Sequence, residues 1–401
     1  AGVQAGFDQN VLDSMAAWRL VEKDADALTG IPASTLEQAA ASAREENLEG
    51  WLFRLDQPTY IAVLTHAENR DLRHRFYRAW STRASDRAEA GKEFDNSDNI
   101  ERILALRHEA AQIVGFDSFA DYSLASKMAG SVDEVMAFLD ELAHRSRNAA
   151  RRELAELERF AGQALAAWDI AFYSEKLREE RYAVSDDELR PFFPLDQVLE
   201  GLFALVTRIY GLSVTLKDGV DTWWPEVRYY ELRDADGEQV GGFFTDLFAR
   251  KDKRAGAWMD ECMNRLDYAG RRQHPVAHLV CNFAGPTATK PCLLNHDEVL
   301  TLFHEFGHTL HHVLTRVAYP SVAGINGVPW DAVELPSQFM ENFAWEPEVV
   351  RTISGHYRTG APLPAELLEK LRASRVFQAG MQMVRQLEFA IFDMRLHAEF
   401  D

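Results

Sequence analysis

Between residues 10 and 213, apolar side chains recur at three- and four-residue intervals between charged ones, and that period admits little besides α-helix. "DLRHRFYRAWSTRASDRAEA" and "NIERILALRHEAAQIVGF" both show it. "SVDEVMAFLDELAHRSRNAARRELAELERFAG" continues it, with Ser131 and Glu134 spaced as a capping box at its start. Charges such as Arg151, Arg152 and Glu153 read as a solvent face. No fixed-period repeat and no low-complexity linker interrupts the pattern. Near residue 213 the period changes. "LSVTL", "VRYYELRD", "QVGGFFTDLF" and "PVAHLVCNF" are β-rich runs separated by turn signals such as "DADGEQ". Helical spacing returns at Asp297 and continues to the end, where "LPAELLEKLRASRVFQAGMQMVRQLEFAIFDMRLHAEF" predicts one long helix or a kinked pair. The expected fold is mainly α. A helical region over 1–212 forms the large body, a small and mainly antiparallel sheet occupies 213–290, and a second helical region covers 291–401.

Composition narrows the function classes. The chain has 401 residues, 47% of them hydrophobic, enough to bury a substantial core. Its formal charge of −20, from 43 Lys and Arg against 63 Asp and Glu, repels phosphate backbones, so no nucleic-acid partner is expected. Cys262, Cys281 and Cys292 form no C-x-x-C pair, which argues against a disulfide framework or a thiolate metal site. No apolar run is long enough to span a bilayer, and "AGVQAGFDQNVLDSMAAWRL" lacks the basic-then-apolar layout of a signal peptide. The expected setting is cytoplasmic, with no membrane partner. The absence of an initiator Met suggests a processed chain or a piece of a longer one.

The chemistry concentrates in "TLFHEFGHTLHHVL", residues 301–314. Asn295 and Glu298 suit a capped helix start, and Val299, Phe303, Phe306, Leu310 and Val313 recur on what should be the core face. At about 100° per residue, His304 and His308 fall within roughly 40° of each other. Two imidazoles one turn apart can share a cation, and the H-E-x-x-H pattern adds Glu305 as a general base for hydrolysis. Two histidines at this spacing are also common as plain surface residues, and it is the full five-residue pattern in an apolar helix that argues for metal. Zinc needs a third protein ligand. Positions 311 and 314 are His and Leu, so no third histidine of the extended motif exists, and the downstream carboxylates are Asp331, Glu334 and Glu341. Glu334, between Val333 and Leu335, would be costly to bury unpaired and ranks first. Glu341 is expected to orient a histidine's second nitrogen, and Asp331 to cap a helix. His311 and His312 stay unassigned.

The chain resembles the thimet oligopeptidase family of zinc metallopeptidases. The resemblance rests on "HEFGHTLHH" (304–312), "GVPWDAVELPSQFMEN" (327–342), "FARKDKRAGAWMD" (248–260), "PVAHLVCNF" (275–283), "WDIAFYSEKLREERY" (168–182), "LRPFFPLDQVLEGLF" (189–203) and "FQAGMQMVRQLEFAIFD" (377–393). Within the family, the wording at 327–342 fits the oligopeptidase A branch better than the dipeptidyl carboxypeptidase branch. The resemblance implies a thimet oligopeptidase-like (neurolysin-like) fold, in which two lobes enclose a channel that admits short peptides and excludes folded proteins. Carried over by position, it puts a single Zn2+ ion on His304, His308 and Glu334, with Glu305 as the base. A monomer acting on oligopeptide substrates is expected. It also implies that "PVAHLVCNF" lies at a sheet edge where a peptide could add as a strand, making Val280, Cys281, Asn282 and Phe283 candidate substrate contacts; equally, Val280 and Phe283 could simply fill the core. The family's Gly-rich loop, with its following His and tyrosines, has no counterpart before Asp401. The expectation is therefore a truncated chain of weak or no activity, since losing one oxyanion donor costs about a hundred- to a thousand-fold. Two rival readings remain at this stage, a non-catalytic, zinc-stabilised peptide-binding fragment and a metal-dependent hydrolase of another substrate.

Overall fold

The computed structural model describes residues 2–183, 185–287 and 289–400; Ala1 and Asp401, which end the first and last regions expected above, lie outside them. The chain divides into two compact units. One comprises residues 1–183, 251–254 and 374–401, the other 184–250 and 255–373.

The first unit is helical, as its period requires, with one small exception. Strands β1 (Arg19–Glu22) and β2 (Trp51–Arg54) pair antiparallel, Arg19 opposite Arg54. Each has only four residues, too short for a period-2 pattern to stand out among the helices, and tertiary burial of Leu20, Leu52 and Phe53 decides the matter. Phe76 packs edge-on to Trp18 and to Phe53, with ring centroids 5.0 and 6.0 Å apart. Helix Arg70–Thr82 starts where Asn69 accepts from the Leu72 amide, and the 30-residue helix Val132–Ala161 where Ser131 accepts from Glu134. The expected capping box is only half realised, because the Glu134 carboxylate takes the amide of Gly130 (2.7 Å), one residue earlier. The last helix of the chain, Ala379–Ala398, lies against this long helix; Glu153 accepts from the Gly380 and Met381 amides at its positive N-terminus.

The second unit holds the sheet. Strands β3 (Ser213–Leu216), β4 (Arg228–Arg233), β5 (Gln239–Phe248) and β6 (Trp258–Met263) are followed by the hairpin β7 (Leu266–Tyr268) and β8 (Arg271–Gln273), then by β9 (Val276–Phe283). The five-stranded order is β3-β4-β5-β9-β6. Three of its four pairings are antiparallel and β5–β9 is parallel, which matches a mainly antiparallel sheet. Sequence reading missed β6, whose "WMDECM" has neither alternation nor a β-branched residue. Helix His296–Val313 covers one sheet face. Phe306 meets Phe243 of β5 at 5.4 Å and Phe203 of helix Leu195–Tyr210 at 5.9 Å, and Val299, Phe303, Leu310 and Val313 are all buried.

The three regions expected from the hydrophobic period mark where element types change, and the compact units group elements differently. Sheet and histidine helix share a unit, and of the two C-terminal alternatives, one long helix or a kinked pair, the structure has two helices. Helix Ala365–Ala373 belongs to the second unit, and Ala379–Ala398, after a left-handed Gln378 (φ 54°), to the first.

Candidate metal centre

The histidine helix begins where the sequence says it should. Asn295 accepts from the Glu298 amide and the Glu298 carboxylate accepts from the Asn295 amide, both at 2.8 Å. Arg190 clamps this box, donating to Glu298 Oε2 at 2.9 Å and to the Leu293 carbonyl at 3.0 Å. One helical turn then sets the His304 and His308 rings 5.0 Å apart and nearly perpendicular.

The third donor arrives on another helix, Leu335–Glu341, which approaches the first at Gly307. A Cβ at position 307 would lie 2.5 Å from the Pro336 carbonyl oxygen and 2.6 Å from Ser337 Cα, so only glycine permits this approach. Glu334, in the N-cap position of that helix, then reaches both histidines, with its Oε2 at 3.1 Å from His304 Nε2 and 3.1 Å from His308 Nε2. The three donor atoms lie within 4.8 Å of one another. Ligand atoms around a tetrahedral zinc sit about 3.3 Å apart, given bonds of about 2.0–2.1 Å, so the residues fit such an ion. Glu341 Oε1 accepts from His304 Nδ1 at 2.6 Å, which presents the opposite nitrogen toward the cluster. The Glu334 side chain is 49% exposed, however, so the cost of burial does not single it out as the third donor. Asp331 does not cap this helix. It falls in a preceding 3-10 turn, Trp330–Ala332, and the helix starts at Leu335 with no side-chain cap.

Glu305 lies between the helix and the sheet. It is buried, its Oε2 has no hydrogen-bond partner among the described residues, and burial pushes its carboxyl up to about 7. Glu334 adds to that rise, while His304 and the Met259 amide oppose it. Burial lowers the proton affinity of His308, which favours the neutral form able to bind a cation.

The candidate substrate contacts fare differently. Strand β9 is not an edge. It pairs with β5 on one side and β6 on the other, Val280 being matched to Asp246 and to Trp258, and Val280, Cys281 and Phe283 are buried. Asn282 donates to the Gly256 carbonyl at 2.6 Å. Val280, Cys281 and Phe283 serve as core, and the edge on this side of the sheet is β6, whose Met259 reaches Glu305. Sequence reading also missed Ser337, which donates to Glu334 Oε2 at 2.7 Å; the signal available was its spacing, one turn after the glutamate. His312, left unassigned, is wholly buried, and its Nε2 bonds the Met263 carbonyl at 3.0 Å at the end of β6. Its Nδ1 accepts from the Ile325 amide at 3.4 Å, so the proton sits on Nε2.

Comparison with known proteins gives the family. The model of peptidase family M3 matches residues 63–401. Oligopeptidase A of Escherichia coli (strain K12) is 51% identical over 400 residues, covering 98% of this chain and 59% of that protein. The organellar oligopeptidase A of Arabidopsis thaliana is 40% identical over 414 residues, 98% of this chain and 52% of its own length. Dipeptidyl carboxypeptidase of Escherichia coli (strain K12) is 34% identical over 404 residues, 99% and 58% of the two chains. The chain thus spans a little over half the length of these relatives, and along that span the likeness is nearly continuous. On these matches, the chain belongs to peptidase family M3.

Proposed function

We propose that this chain carries the catalytic centre of a zinc-dependent oligopeptidase, which hydrolyses internal bonds of short, unfolded peptides. The observation that carries the reading is the convergence of His304 Nε2, His308 Nε2 and Glu334 Oε2 beside a buried, unpartnered Glu305 oxygen. Two imidazoles and a carboxylate form a common catalytic zinc set that leaves a position open. When bound, zinc supplies Lewis-acid activation of water and of the scissile carbonyl. Glu305 does the proton work. It takes a proton from the attacking water and returns one to the leaving amine nitrogen. No covalent intermediate on the chain is required.

The substrate's extended backbone is proposed to pair with β6, the sheet edge nearest Glu305. Its burial pattern grows more exposed toward Met263, and its Met259 amide already approaches the Glu305 carboxyl. Similarity to oligopeptidase A and to dipeptidyl carboxypeptidase supports peptides as the substrate class.

The test is turnover of an internally quenched peptide together with metal analysis. Whatever cleavage the zinc-loaded protein shows, down to the weak rate expected above, should fall by at least about a hundredfold in Glu305→Gln while zinc stays stoichiometric, as loss of general-base catalysis requires. Full cleavage by the variant would overturn the role of Glu305. Bound zinc with no turnover in the wild type would favour a non-catalytic peptide-binding role.

A further inference from the structure

We propose that Ser337 is a positioning residue for the Glu334 carboxylate, holding the third donor of the site in the conformation that a divalent cation needs. The inference rests on the metal reading above.

Glu334 is the mobile member of the donor set by chemistry and by exposure. His304 is held through Glu341, and His308 sits on a helix face that is largely buried. Glu334 has three side-chain torsions and half its side chain in solvent, so without a restraint it would sample many rotamers. The local backbone offers it little competition. As the N-cap residue it would normally turn its carboxylate back to the first amides of the helix, yet it makes no such cap, and Pro336 at the second helical position has no N–H to give. The donor comes instead from the third helical residue's side chain, with Ser337 Oγ 2.7 Å from Glu334 Oε2.

Ser337 is itself fixed. It is wholly buried, and its Cα lies against Gly307, so the hydroxyl has nowhere to drift. Its other acceptor is the Glu334 carbonyl at 2.9 Å, and one O–H proton cannot fully serve both oxygens. Either bond keeps the hydroxyl at the base of Glu334, and the carboxylate, as a charged acceptor, forms the stronger one. The restrained oxygen is the same one that lies 3.1 Å from both histidine nitrogens.

The experiment uses the full chain and compares wild type with Ser337→Ala. Zinc affinity is read by competition with a chromophoric chelator, and site geometry by the ligand-field spectrum after loading with Co2+. The expected result is zinc affinity weakened about 10–100-fold, the usual effect of losing a group that orients a ligand, with a changed cobalt spectrum. Val350→Ala, a cavity variant at a buried position of helix Pro347–Ile353 in the same unit, should lose stability but keep wild-type zinc affinity and cobalt spectrum. Ser337→Ala with wild-type affinity and spectrum would overturn the proposal, as would a Val350→Ala variant that reproduces both changes. A wild-type protein that binds neither ion would overturn the metal reading itself, and this inference with it.

Discussion

Two carboxylates show how neighbours decide what a side chain can do. Glu305 is buried beside another acid and is held near neutrality, whereas Asp169, equally buried, is held ionised. Desolvation pushes Asp169 up, but hydrogen bonds from Arg70 and Arg73 outweigh it and leave the carboxyl below its ordinary range. Arg73 is almost fully enclosed and also donates to the carbonyls of Ala67, Glu68 and Trp168, which ties three segments of the first unit together. Asp169→Ala leaves that guanidinium buried and unpaired, and should cost about 3–5 kcal/mol by urea unfolding at pH 7. Because the folded-state proton affinity is depressed, the stabilisation from this pair is complete above the unfolded value of 3.8 and is lost as pH falls through the lower folded value. Asp169→Asn should therefore show a shallower acid limb when unfolding midpoints are plotted between pH 5 and about pH 2.

At the scale of elements, the site depends on how closely two helices approach. The histidine helix supplies two donors, and a seven-residue helix supplies the carboxylates at its two ends, Glu334 at the N-cap and Glu341 as its last residue. Gly307 sets their separation. Gly307→Ala would force a methyl group against the backbone of Pro336 and Ser337, where no flexible side chain can give way. Overpacking of that kind costs about 1–3 kcal/mol, seen as a lowered melting temperature. The same shift should move Glu334 away from the histidines, so zinc affinity should fall together with stability; a variant that loses neither would mean the helices need not be this close. The Asn295 box and its Arg190 clamp belong to the same scale, because they fix where the helix begins and hence which turn carries the histidines.

At the scale of the whole molecule, the donor residues all fall within one of the two compact units. Zinc should therefore stabilise one part of the chain and leave the other as it was. At a free zinc concentration of 100 times the dissociation constant, linkage gives about 2.7 kcal/mol. Hydrogen exchange should show that protection in the segments 296–313 and 335–341, with the helix Arg70–Thr82 unchanged, and a chelator should reverse it. Equal protection in both units would contradict this assignment.

Local pattern was enough for the helical body, the core face of the histidine helix, its capped start and the placing of His304 and His308 one turn apart with Glu305 beside them. Those features depend on period and on neighbours three or four residues apart, where backbone geometry alone determines proximity. Glu334 and Glu341 were also legible, because only three carboxylates stood close downstream, although the burial argument for Glu334 did not hold. Three features were beyond any local reading: the position of β9 inside the sheet, the short strands β1, β2 and β6, and the assignment of the two C-terminal helices to different units. Strand order and helix approach are set by contacts between segments tens of residues apart, and a run such as "PVAHLVCNF" reads the same at an edge as in the interior. Sequence by itself determined which chemistry this chain can hold; tertiary packing decided which backbone flanks it and which side chains hold its ligands still, because only packing brings distant segments within hydrogen-bonding distance.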